Sequence, residues 1–183
     1  MGWELDNHWD LNVDQCVMIA APHTSNWDAL YARLALKALG VNVRLTIKDS
    51  YMKLPFGPFV RAMGGIGIDR RVKQAGQERP SMVQLMSDLF KTHPKLVMLV
   101  TPEGTRAKQE QWKTGFYHVA MTAGVPIALA YMDYAKKKTG VGKMIYPTGN
   151  YEQDMAEIMA FYAEINAKHP EKFSVDQRYA NNK

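Results

Sequence analysis

Val17-Met18-Ile19-Ala20-Ala21-Pro22-His23-Thr24-Ser25-Asn26-Trp27-Asp28 runs from an unbroken apolar stretch, through a proline, into a polar cluster that opens a helix. A short continuous apolar run closed by a turn signal reads as a strand buried on both faces. The spacing predicts a helix from about Trp27 to Leu39, with Leu30, Leu34, Tyr31 and Ala38 at helical spacing and Gly40 ending it. Val41 to Ile47 follows as a second strand. Strand, helix and strand thus succeed one another within roughly 30 residues, the unit that makes a parallel pair with a crossover helix.

The same alternation continues outward. Tyr51 to Val60 carries two prolines and a glycine among aromatics, so it reads as a loop or short helix packed over something apolar. Gly65 to Ile68 is a short strand candidate, and Ser81 to Thr92 a helix with Met82, Leu85, Met86 and Leu89 on one face. Leu96 to Val100 reads as a buried strand. Thr114 to Met132 has no formal charge and could be mistaken for a membrane span. Gly124-Val125-Pro126 divides it into a helix at 115–123 and a strand at 126–132. Met144 to Tyr146 is a further strand candidate, Met155, Ile158, Met159, Tyr162 and Ile165 mark an amphipathic helix, and the polar tail beyond Lys172 reads as mobile. With no repeat, low-complexity block or linker, the 183 residues read as a single α/β domain, a mixed, mostly parallel sheet flanked by helices.

Composition narrows the classes. At 46% hydrophobic and 22% charged residues the chain can bury a sizeable core, which excludes a disordered or collagenous protein. Lys plus Arg is 23 against 18 Asp plus Glu, a net +5 that favours anionic partners: phosphates, acyl carriers, nucleic acid or lipid headgroups. A single cysteine, Cys16, excludes an internal disulfide and a multi-cysteine zinc site, and its place beside an apolar strand suggests a buried, inert thiol. The first residues lack the basic start and apolar stretch of a secretory signal, so export is not expected.

Three constellations could carry chemistry. His23 and Asp28 stand where a buried strand hands over to a helix. Five residues apart on one helix they would diverge by about 140°, so His23 belongs on the turn and Asp28 in the first helical turn, where they can converge. Asp28 would then hold one ring nitrogen and leave the other basic, as general-base catalysis requires. The alternative is that Thr24, Ser25 or Asn26 merely caps the helix and His23 is a turn residue. Pro102-Glu103-Gly104-Thr105-Arg106 follows another buried strand, at the edge where open α/β sheets collect ligands. Its glycine admits an anion, its arginine offers a planar fork, and its glutamate could orient the arginine or a hydroxyl; a turn with a surface arginine fits as well. Gly64-Gly65-Ile66-Gly67-Ile68-Asp69-Arg70-Arg71 is either a second phosphate-binding segment or a glycine-rich turn. Lys113, beside a helix start, is a weaker addition. No G-x-S-x-G, H-E-x-x-H or phosphate-loop pattern occurs, and the remaining histidines show no metal-ligand spacing.

Taken in order, these segments resemble the glycerophospholipid acyltransferase family, which includes the 1-acylglycerol-3-phosphate acyltransferases. The resemblance runs from about His23 to Ala130 and rests on four blocks. They are H-x-x-x-x-D at His23 and Asp28, a glycine-rich strand ending in arginine at Gly65 to Arg70, P-E-G-T-R at Pro102 to Arg106, and a V-P strand at Val125-Pro126-Ile127. It implies a fatty acyl transfer from acyl-CoA or acyl carrier protein to a hydroxyl of a glycerol-phosphate or lysophospholipid-type acceptor. His23 is then the general base and Asp28 its partner, and Arg70, Glu103, Gly104, Thr105 and Arg106 bind the acceptor's phosphate. The thioester is a co-substrate, and no metal or further cofactor is expected. The chain departs from many relatives at Thr101 and in lacking a second proline after Pro126, which leaves the acceptor open. Only residues 1–22 precede His23, without the hydrophobic helices that tether many relatives. The expectation is a cytoplasmic protein with at most peripheral contact at the inner face of the membrane, helped by positive charge. The competing reading, a non-catalytic phosphate- or nucleic-acid-binding domain, would use the same arginines and be indifferent to His23; nucleic acid is not the expected partner.

Overall fold

The computed structural model describes residues 2–10, 12–53, 55, 57–62, 64–68 and 80–180. Its strands are β1 (Glu4–Asn7), β2 (Gln15–Ala20), β3 (Val43–Lys48), β4 (Gly65–Ile68), β5 (Leu96–Val100), β6 (Ile127–Asp133) and β7 (Lys138–Ile145). Its helices are α1 (Asn26–Ala38), α2 (Gly57–Ala62), α3 (Met82–Thr92), α4 (Gly115–Ala123) and α5 (Tyr151–Ala163), with 3-10 turns at Asp49–Met52 and Pro170–Lys172. The opening stretch forms the predicted strand and helix, but α1 crosses over to a β3 that is parallel to β2 and separated from it by β5, so the two are not the adjacent pair expected.

The strands make one sheet in the order β1-β7-β6-β2-β5-β3-β4, parallel throughout except for the antiparallel β6–β7 pair. This is the mostly parallel α/β domain the sequence predicts. β2 lies between β6 and β5, with Met18 opposite Ala128 on one side and Leu99 on the other. Its alternate residues feed two cores. Val17 and Ile19 pack with Phe90 of α3, Phe116 and Val119 of α4, and Met155, Ile158 and Tyr162 of α5. Cys16 and Met18 point the other way, toward Leu36 of α1. Burial pushes the Cys16 thiol up to about 12, so it is the inert group expected.

Local sequence explains the boundaries. Ser25 caps α1 by accepting the amide of Trp27 at 3.1 Å, and Asp28 completes a capping box. Gly124, at φ 68°, ends α4 in the left-handed conformation that suits glycine, and β6 begins three residues on. Thr114 to Met132 is therefore helix and strand, and no helix among the described residues is long and apolar enough to cross a membrane.

Three other readings change. β1 was not predicted, and β7 extends the short Met144–Tyr146 candidate into a hairpin with β6. The tail beyond Lys172 is anchored through residue 180, because Asp176 is fully buried and accepts the amide of Trp112 at 2.9 Å and the guanidinium of Arg178 at 2.6 Å. Trp112 in turn donates its indole N–H to the carbonyl of Ser174 at 2.9 Å. Third, α1 buries Asp28, Ala35 and Leu36, while Leu30 and Leu34, the leucines at helical spacing, face outward.

Candidate active site

β2 and β5 are parallel neighbours, so both end at the same sheet edge and deliver their following loops to one place. After β2 comes a cis Ala21–Pro22 peptide and then His23; after β5 comes Thr101 and then the Pro102 to Arg106 loop. The loops meet directly. The backbone N–H of His23 donates to Glu103 Oε2 at 2.8 Å.

Asp28 sits in the first turn of α1, as its distance from His23 predicts. Its Oδ2 accepts the amides of Thr24 and Ser25 at 2.7 and 2.8 Å, and its Oδ1 accepts the hydroxyl of Tyr134 at 2.7 Å. His23 Nδ1 lies 3.9 Å from Asp28 Oδ2. That is charge-to-charge range, too long for a hydrogen bond. Asp28 therefore completes the helix cap that Ser25 begins and faces the imidazole at once, but it does not hold the ring nitrogen by the hydrogen bond expected. The His23 side chain is 20% exposed. Burial lowers its pKa below the usual histidine value; Asp28 pulls the other way and Arg106 adds to the lowering. A pKa below the usual histidine value leaves the ring mostly uncharged at neutral pH.

The Pro102 to Arg106 loop divides in two. Glu103 is buried, and burial, helped by the nearby Asp28 and opposed by the His23 amide, pushes its pKa up to about 7. Its carboxyl is engaged behind His23, not displayed to a ligand. Gly104, Thr105 and Arg106 are exposed. Gly104 adopts φ 68°, and a Cβ there would stand 2.5 Å from Lys113 Nζ, so the glycine makes room for the lysine. Neither Arg106 nor Lys113 pairs with a carboxylate among the described residues. The result is a cationic loop at the rim of a histidine-bearing cleft. Arg70 lies outside the described residues, as do Leu54 and Phe56 of the Tyr51–Val60 segment.

A family model described as Acyltransferase matches residues 5–133, which takes in His23, Asp28 and the whole Pro102 to Arg106 loop. The chain belongs to the acyltransferase family. No curated protein and no solved structure matches it. It is thus a transferase of acyl groups.

This acyltransferase has a cavity of about 280 Å³ between α1 and the sheet, with His23 and Asp28 in its wall. Ala29, Ala32 and Ala35 of α1 form one side, and Val43, Leu45 and Leu99 of the sheet the other. Small residues on the inward face of α1 keep the helix from filling the space. Alanines at three-residue spacing were legible as one face of a helix, but not as a roof over a cavity. Tyr134 was not foreseen at all. Its only signal is its place just past β6, at the sheet edge shared with β2.

Proposed function

We propose that this acyltransferase carries a fatty acyl group from acyl-CoA or acyl carrier protein to a hydroxyl of a glycerol-phosphate or lysophospholipid-type acceptor, with His23 as the general base. The observation that carries the reading is an uncharged imidazole at the junction of an apolar cavity and a cationic loop whose Arg106 and Lys113 meet no carboxylate among the described residues. The cavity suits the acyl chain. The loop suits the phosphate of the acceptor, held by Arg106, Lys113 and the exposed backbone of Gly104 and Thr105. Arg70 is assigned the same task by the resemblance alone.

In this mechanism Nε2 of His23 takes the proton of the acceptor hydroxyl as its oxygen attacks the thioester carbonyl carbon. The tetrahedral intermediate collapses with loss of the C–S bond, and the imidazolium returns the proton to the departing sulfur. Asp28 stabilises the transient imidazolium electrostatically across 3.9 Å. Glu103 positions the base by holding the His23 backbone, a different task from the phosphate contact that the resemblance implied for it. A thioester is already activated, so no protein nucleophile is needed, and in this reading no metal or further cofactor enters.

The test is incubation of the protein with labelled acyl-CoA or acylated carrier protein and a panel of lysophospholipids and glycerol phosphate, with identification of products. A new phosphorylated acyl ester supports the reading. Release of free fatty acid alone would mean that water is the acceptor and the protein a hydrolase. Acceptor binding without turnover would mean a non-catalytic phosphate-binding domain.

A further inference from the structure

We propose that the outer face of α1 is a docking surface for anionic lipid bilayers. A surface helix normally turns its apolar stripe toward the core, and α1 does the reverse. Trp27, Leu30 and Leu34 fall within about 60° of one another around the helix axis, and they are 52%, 47% and 55% exposed. The other large apolar side chains exposed among the described residues, Leu5, Phe59, Met121 and Tyr146, belong to four separate segments. Scattered apolar residues on a surface are ordinary, whereas a contiguous stripe marks an interaction site.

The flanks of the stripe indicate the partner. On one side stands the exposed Lys37. On the other is a wall of rings: Trp3 stacks on Tyr31 at 5.6 Å and meets Tyr134 edge-on at 5.3 Å. Lys168 Nζ lies 5.4 Å from the centre of the Trp27 ring and 5.8 Å from that of Tyr134. Asp28, the one acidic residue of α1, is buried and engaged. The outward face therefore combines aliphatic, tryptophan and tyrosine surface with cations on both flanks and no exposed carboxylate of its own. That is the composition of a helix lying in a membrane interface, and its charge complements anionic headgroups. A second copy docked face to face would bring like charges together.

Because α1 also roofs the cavity, docking by its outer face would bring the His23 site to the level where lipids enter and leave. In that respect the inference rests on the acyltransferase reading. Its test does not, since it contains neither donor nor acceptor, so either can fail while the other stands.

The experiment is co-sedimentation of the full chain with vesicles of mixed phosphatidylglycerol and phosphatidylcholine, and with vesicles of phosphatidylcholine alone. The expected result is binding to the mixed vesicles that is at least about tenfold weaker for Leu30→Ser with Leu34→Ser, and at least about tenfold weaker on phosphatidylcholine alone. Both leucines are exposed, so thermal melting should show the double variant folded; Lys37→Glu, which leaves the apolar stripe whole, should also weaken binding. Failure to sediment with the mixed vesicles, or sedimentation unchanged in these variants, would overturn the proposal. So would a concentration-dependent dimer of the wild type that the double variant dissolves.

Discussion

Replacing Glu103 by glutamine tests whether the carboxyl behind His23 carries its proton up to neutral pH. Glu103 is 4% exposed, and burial is the main cause of the rise in its pKa from 4.5 to about 7. A folded-state pKa above the unfolded one means that the folded chain holds the proton more tightly. The associated stability is full below 4.5 and is lost as the pH rises through about 7. Between about pH 5 and about pH 8 the loss comes to about 2.5 kcal/mol. Glutamine retains an oxygen to accept the His23 amide at Oε2's place but cannot ionise, so the variant lacks this slope. His23 tilts the profile the other way, its lowered pKa making stability rise toward 6.5, but it does so in both proteins. Asp6, Asp133, Asp154 and Asp176 have lowered pKa values and shed stability only in acid, below 3.8. Urea unfolding of both proteins across this range gives the difference directly, and any pH-independent cost of the buried amide cancels. Glu103→Gln should gain on the wild type by about 2 to 3 kcal/mol from about pH 5 to about pH 8. Profiles that stay parallel within about 0.5 kcal/mol would refute the idea of a proton-bearing Glu103.

Four further outcomes are expected. His23→Ala should lower kcat by at least about 100-fold with little change in acceptor KM, and kcat/KM of the wild type should rise with pH to a plateau along a limb centred below 6.5; retained turnover would remove His23 from the chemistry. Arg106→Ala should raise KM for a phosphorylated acceptor by about tenfold or more, and an equal effect on an unphosphorylated alcohol would contradict phosphate binding. Tyr134→Phe removes the hydroxyl that Asp28 Oδ1 accepts at 2.7 Å; a loss of about 1 to 2 kcal/mol in stability and about three- to tenfold in kcat should follow, and a wild-type kcat would mean that Asp28 needs no outside support. Ala32→Leu projects into the cavity and should cut kcat/KM for a long-chain donor by at least about tenfold while sparing a short-chain one, as competition between the two donors would show; equal losses for both would argue against the cavity as the acyl site.

Adjacent residues determined much of this protein. Gly124-Val125-Pro126 divides α4 from β6 because a left-handed cap and an imino acid act within a single turn, and Leu96 to Val100 is a strand because an apolar run that short has few other uses. The convergence of His23 and Asp28 was legible for the same reason, since the geometry of a capped first helical turn depends on residues next to it. Sequence could not bring Glu103 to the amide of His23, or Tyr134 to Asp28, because those contacts exist only once β5 and β6 flank β2 in parallel and their loops share an edge. Nor could it orient α1. Its periodicity shows a leucine stripe and an alanine face, and ordinary hydrophobic burial favours turning the leucines inward. The sheet instead takes Ala35 and Leu36, leaving a cavity beneath the helix and an apolar surface above it. Local hydrogen bonding and steric limits act between neighbours in the chain, whereas the side of a helix that is buried depends on the surface it packs against, which only the assembled sheet provides.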